Sequence, residues 1–209
     1  MAGGPHGRAT DPVGVGGAPL DDADVMRAQF WSLLGALLTR PPSQELLDRV
    51  AGLGGDRTPL GNALRTLAAR AVETDERRAE REYHGLFIGV ARGELLPYAS
   101  YYITGFLNEK PLARLRQDMA ALGIERAAGN KDPEDHIGSL CEMMAGLIAG
   151  EFATDLAHQR AFFDRHIAPW AGRFFADLEK AENALLYQPV GTAGRLFMGI
   201  EAEGFALGA

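Results

Sequence analysis

The sequence predicts an all-α protein, a single bundle of roughly eight to ten helices. Three observations predict it. Apolar residues recur at helical spacing along most of the chain, glycine and proline interrupt that spacing where helices should stop, and no segment alternates convincingly with a period of two. A chain of 209 residues suits one such domain, here residues 21–209, and is long enough to bury a core without cross-links.

The first helix is expected from Ala23 to Thr39, with Met26, Phe30, Leu33, Leu34, Leu37 and Leu38 on one stripe and Pro41-Pro42 as its stop. Ser43 should cap a short helix carrying Leu46, Leu47 and Val50. Thr58-Pro59 reads as a cap followed by a proline in the first turn, ahead of Leu60, Ala63, Leu64, Leu67 and Ala71. Thr74 is placed to cap a charged helix that turns apolar at Tyr83, Leu86 and Phe87. Ile88 to Pro97, with two glycines and a proline, is a loop. Pro111 opens a helix that Gly123 closes. Asp132-Pro133-Glu134-Asp135 reads as a helix start, with an acidic cap, proline and first-turn acids. From Ile137 to Ile148 follows the clearest amphipathic pattern in the chain. Helices over Leu156–Ile167, Trp170–Ala181 and Val190–Ala206 complete the bundle.

Composition narrows the function. The formal net charge of −7 argues against a nucleic-acid surface and permits a cationic partner, although solubility alone explains mild acidity. No apolar run approaches the ~20 residues that span a bilayer, so no stable membrane insertion is expected. Residues 1–20, rich in Gly, Pro and Ala, read as a disordered leader dispensable for folding. They lack the apolar segment of a signal peptide, and charged residues follow Arg77-Arg78, so the chain is expected in the cytoplasm. A lone cysteine, Cys141, excludes an internal disulfide.

Catalytic chemistry is hard to assemble from these residues. No H-E-x-x-H or G-x-S-x-G occurs, and Asp155-x-x-His158 is the one near match to a di-iron carboxylate pattern. Cys141 lies on an apolar helix face, where an inert buried thiol is expected. The Gly89–Gly93 segment lacks the lysine and hydroxyl of a phosphate loop. No metal, cofactor or catalytic residue is therefore expected.

Two stretches stand out. Glu82-Tyr83-His84-Gly85-Leu86-Phe87-Ile88-Gly89, running on to Leu96-Pro97-Tyr98-Ala99-Ser100-Tyr101-Tyr102, gathers aromatics around a helix-breaking loop. Such rings suit a peptide groove, but the residues alone favour rings that close the bundle where the chain turns. The second stretch is Asp135-His136. Its position favours an acidic first-turn residue beside a solvated histidine, outside the apolar stripe, with ligand docking at the helix start left open.

These two stretches in this order, E-Y-H-G-L-F-I-G, P-Y-A-S-Y-Y and D-P-E-D-H-I, resemble the signature of the TorD/DmsD/NarJ family of redox-enzyme maturation chaperones. The likeness covers about Glu82 to Leu147. It implies an all-helical, non-catalytic protein that binds the twin-arginine signal peptide and apo catalytic subunit of a molybdopterin-containing oxidoreductase, holding back export until the cofactor is inserted. By motif match it implies binding roles for Leu86, Phe87, Pro97, Tyr98, Ser100, Tyr102, Asp135, His136 with its neighbour Ile137, and the following acid Glu142. Tyr98 stands where some members carry tryptophan, and Gly89-Val90 where Gly-Pro is frequent. Tyr102 to Leu115 is similar to chaperones associated with formate dehydrogenases. A helical enzyme with a nucleotide or metal site, or an assembly subunit that stays with its complex, is the alternative, and a homodimer formed by domain swapping stays open.

Overall fold

The computed structural model describes residues 20–90, 92–126, 132–152 and 154–207. The leader predicted over residues 1–20 lies, apart from Leu20, outside them. Among the described residues there are ten α-helices and no strand, an all-α bundle as the spacing predicts. They are α1 (Asp22–Leu38), α2 (Gln44–Ala51), α3 (Pro59–Val72), α4 (Glu76–Tyr83), α5 (Ala99–Thr104), α6 (Lys110–Leu122), α7 (Ile137–Ala149), α8 (Leu156–Phe162), α9 (Ala171–Lys180) and α10 (Tyr187–Leu207). Two wider π-helical turns, His84–Ile88 and Phe163–Ile167, continue α4 and α8.

The helix ends follow from short polar side chains. Asp21, Ser43, Thr58 and Asp155 each accept an amide of the first turn they precede. Gly123 and Gly150 end α6 and α7 in the left-handed conformation that a side chain would strain. One expected cap moves: Asp75, not Thr74, caps α4, because its carboxylate reaches the Arg78 amide, whereas the Thr74 hydroxyl turns back to the Arg70 carbonyl.

Helix α1 packs along α7, α10 lies along α9 and α3, and α2 rests on α3. Small residues let α1 and α7 touch at the backbone. A Cβ on Gly138 would come within 2.7 Å of the Thr39 amide nitrogen, which also shows that the two helices run in opposite directions. The core is aromatic, with Trp31, Phe163, Trp170, Phe174, Phe175 and Tyr187 all fully buried. Trp31 and Ala28 are core residues of α1 that the apolar stripe left out, whereas Met26, counted on that stripe, is exposed. The indole of Trp31 donates to buried Glu201 at 3.0 Å, and Arg27 grips the two oxygens of the same carboxylate at 2.7 and 2.9 Å, tying α1 to α10. No helix among the described residues is long and apolar enough to cross a membrane.

The segment Glu82–Phe87 is the cross-brace of the bundle. The Glu82 carboxylate accepts the amides of Leu185, Leu186 and Tyr187 at 2.7–3.1 Å, so it caps the start of α10 from a distant helix. The hydroxyls of Tyr83 and Tyr187 donate to the Leu38 and Leu37 carbonyls at 3.1 and 2.8 Å, satisfying acceptors that the end of α1 leaves open. We expect Glu82→Ala to cost about 2 kcal/mol, near the upper end for a lost cap, because three amides lose one acceptor. Guanidinium unfolding followed by circular dichroism measures it, and a change below about 0.5 kcal/mol would show that water replaces the carboxylate.

Candidate functional site

The loop after the first π-helical turn is folded back on it. Leu95 donates its amide to the Leu86 carbonyl at 2.8 Å, and Glu94 to Gly85 at 3.3 Å. This return delivers Pro97–Ser100 beside the Asp132–His136 turn. There the two stretches join as a miniature antiparallel pair: Ile137 donates its amide to the Pro97 carbonyl at 2.9 Å, Ala99 donates to Asp135 at 3.0 Å, and Tyr98 pairs with His136.

This pairing overturns the expected start of α7. The helix does not begin in the Asp132–Asp135 run. Residues 133–135 form a turn, and the first helical residue is Ile137. The cap is His136, whose Nδ1 accepts the Gly138 amide at 3.1 Å. Local sequence favoured an earlier start, but the backbone groups of 135 and 137 are committed to the neighbouring loop, and long-range hydrogen bonds override the local preference. Asp135 and His136 are not exposed first-turn residues either: they are 1% and 5% exposed. The Asp135 Oδ2 accepts the Ser100 amide at 2.7 Å and the Ser100 hydroxyl at 2.5 Å, while its buried Oδ1 has no hydrogen-bond partner among the described residues. Oδ2 therefore does for α5 what a capping side chain would do, from outside the helix.

Burial sets the electrostatics. It pushes the His136 imidazole down to about 4, so the ring is neutral near pH 7 and its Nδ1 is free to accept. Burial, helped by the charges of Asp132 and Asp135, pushes the Tyr98 phenol up to about 12. The two rings meet edge to face with centroids 5.1 Å apart.

The motif residues therefore divide. Leu86, Phe87, Pro97, Ser100, Asp135, His136 and Ile137 are buried and form the packing behind the surface. Phe87 lies against Tyr83 and Tyr187, with centroids 5.0 and 5.3 Å away. Tyr98 and Tyr102 are half-buried and Glu142 is exposed. Tyr102 stacks on Trp170, donates to Asp177 at 3.0 Å and lies under the Arg173 guanidinium. Glu142 sits farther along α7, on its other flank, and accepts the Thr39 hydroxyl at 3.1 Å.

Among the described residues no three His, Cys, Asp or Glu side chains gather as metal ligands. Asp155 and His158 are the cap and first turn of α8, paired at 2.6 Å on the surface. Cys141 is fully buried, and burial raises its thiol well above the ordinary range. What sequence reasoning missed is the bracing role of Glu82 and Tyr83 and the direct Ser100–Asp135 pair, 35 residues apart, which no local signal announces.

Residues 54–176 match the family model described as nitrate reductase delta subunit. The chain is 30% identical over 173 residues to the Tat proofreading chaperone DmsD of Salmonella typhimurium, covering 78% of this chain and 83% of that one. The chain belongs to the TorD/DmsD/NarJ family. It is also 28% identical over 173 residues to the chaperone protein TorD of Vibrio atlanticus, covering 71% of this chain and 80% of the relative. A crystal structure titled as a candidate redox enzyme maturation protein from Archaeoglobus fulgidus shares the fold of this family member, with a TM-score of 0.56 over 83% of this chain and 94% of that one, at 21% identity.

Proposed function

We propose that this TorD/DmsD/NarJ-family protein is a cytoplasmic maturation chaperone that binds the twin-arginine signal peptide and the apo catalytic subunit of a molybdopterin-containing oxidoreductase, delaying export until the cofactor is in place. The observation that carries this reading is the family match over residues 54–176, which contains both motif stretches that the fold joins at Tyr98 and His136. The relatives are named as chaperones, one of them for Tat proofreading. Holding an export signal needs binding energy and no catalytic group. The similarity of Tyr102 to Leu115 to chaperones of formate dehydrogenases makes such an enzyme the proposed client.

Within this reading Tyr98, Tyr102 and Glu142 are the motif residues placed to touch a ligand directly. Leu86, Phe87, Pro97, Ser100, Asp135 and His136 hold them in position. Each large apolar side chain buried by a partner contributes roughly 1.5–3 kcal/mol before the costs of association. A few such contacts reach micromolar affinity, about −8 kcal/mol. Titration calorimetry tests this with a cognate signal peptide, a Lys-Lys version and a version with a polar central segment. The cognate peptide should bind most tightly, and only the charged part of its affinity should weaken with salt. Absence of binding, or equal binding of all three, would overturn signal-peptide recognition.

A further inference from the structure

Exposed apolar side chains scattered singly over a surface call for no explanation. Three of them fall together between α5 and α6: Ile103, Phe106 and Leu107 are 46%, 70% and 42% exposed, and none of the three packs on the core. Their exposure is built into the backbone. Gly105 and Asn108 hold left-handed conformations, φ 84° and 59°, on either side of the Phe106-Leu107 pair, and asparagine is one of the few side chains that enters that region readily. The Thr104 hydroxyl, which donates to the Ser100 carbonyl at 2.8 Å, accepts the Phe106 amide at 3.2 Å. The loop is therefore pinned to α5 with its apolar side chains in water.

Cations lie on both sides of it. Ile103 shares a hollow of about 170 Å³ with Arg114 and Arg165. Gly105 shares another with Arg92 and Arg173. Lys110, exposed, opens α6 just beyond. Most surface acids nearby are engaged. Asp118 holds Arg165 and His166, Asp177 accepts the Tyr102 hydroxyl, and Glu94 accepts the amides of Glu182 and Asn183. With exposed Glu109 counted, five cations stand against four acids here, in a chain whose net charge is −7.

A convex apolar tip rimmed by long cationic side chains is the geometry of an interfacial anchor. The apolar groups enter the boundary between headgroups and acyl chains, and arginine and lysine stems reach back to the phosphates. We propose that the Phe106-Leu107 loop is a peripheral membrane contact that seats on anionic phospholipid. Charge complementarity selects the anionic surface, and the protruding shape selects a deformable interface over a rigid peptide. No spanning helix is needed, and none is present among the described residues. Three apolar side chains and a few cations give reversible attachment that salt weakens. The proposal uses neither Tyr98 nor Glu142 and stands apart from signal-peptide recognition.

The full chain is mixed with vesicles of phosphatidylcholine alone, or of equal parts phosphatidylcholine and phosphatidylglycerol, and binding is read by co-sedimentation. The anionic vesicles should be bound at least about ten-fold more tightly, and added salt should weaken that binding. Phe106→Ser/Leu107→Ser and Lys110→Glu/Arg114→Glu change exposed side chains, so thermal unfolding should be unaltered. Each double variant should lower anionic-vesicle binding at least about ten-fold. Contact is read directly with Phe106→Trp. The native indoles of Trp31 and Trp170 are 0% and 1% exposed, so quenching by brominated acyl chains, with a blue shift in emission, reports the introduced ring. Failure of the wild-type chain to bind anionic vesicles, or undiminished binding by either double variant, overturns the proposal. If the wild-type chain ignores vesicles and Phe106→Ser/Leu107→Ser instead loses affinity for the signal peptide, the loop is a client contact and the membrane assignment is wrong.

Discussion

Asp135→Ala should lower stability by about 3 kcal/mol, several times the ~0.3–1 kcal/mol expected for an acid in an exposed first turn. Two hydrogen bonds to a buried carboxylate disappear, and the Ser100 amide and hydroxyl are left buried at the start of α5 without their acceptor. Bonds to a charged group are worth about 1.5–3 kcal/mol each, and relief of the buried charge with its unpartnered Oδ1 offsets part of that sum. Guanidinium unfolding measures the loss. Asp135→Asn keeps an acceptor for the Ser100 amide and should lose less than half as much. A double-mutant cycle with Ser100→Ala should return a coupling of about 1–2 kcal/mol. A loss below about 0.5 kcal/mol for the alanine variant would show that the pair does not hold the loop to the turn. Weakened client binding in Asp135→Ala therefore has to be read against its folded fraction, and contact and support are separable only with the asparagine variant beside it.

Acidification should destabilise the fold through His136 well before the carboxylates titrate. Burial holds the folded-state imidazole at about 4, while the unfolded chain takes up the proton near pH 6.5. As pH falls below that value the unfolded state binds a proton the native state refuses, so stability is full above about 6.5 and declines toward the folded value. By about pH 5 this group should have removed about 2 kcal/mol. His166, also lowered chiefly by burial though opposed by Asp118, acts in the same direction, so the wild-type curve alone does not isolate His136. Unfolding free energies between about pH 7.5 and pH 5 are compared with those of His136→Asn, whose side chain can still cap α7 but does not titrate. The variant's curve should be flatter by about that amount, and parallel curves would show that His136 is protonated in the native state.

Much of this molecule is readable along the chain. The helical periodicity, the caps at Ser43 and Thr58, the stops at Gly123 and before Pro41 and the break after Ile88 all depend on neighbours within a few residues, and all appear in the fold. The order of E-Y-H-G-L-F, P-Y-A-S-Y-Y and D-H-I is likewise a property of the string, and it leads to the family that the comparisons show. What the string could not contain is which of these groups meet. Asp135 and His136 read as solvated because a helix start with acids in its first turn is locally favourable. They are buried because a segment 35 residues away supplies backbone partners for the turn and a hydroxyl for the carboxylate. From the residues alone Phe87 read as a ring closing the bundle where the chain turns, and only the family resemblance implied a binding role for it. It is core because α10 brings Tyr187 against it. The hollow that α1 and α2 line with the end of α7 likewise draws on segments more than a hundred residues apart. Local hydrogen bonding and apolar periodicity decide the elements, and only packing decides which polar groups lose water and which surfaces are left for a partner.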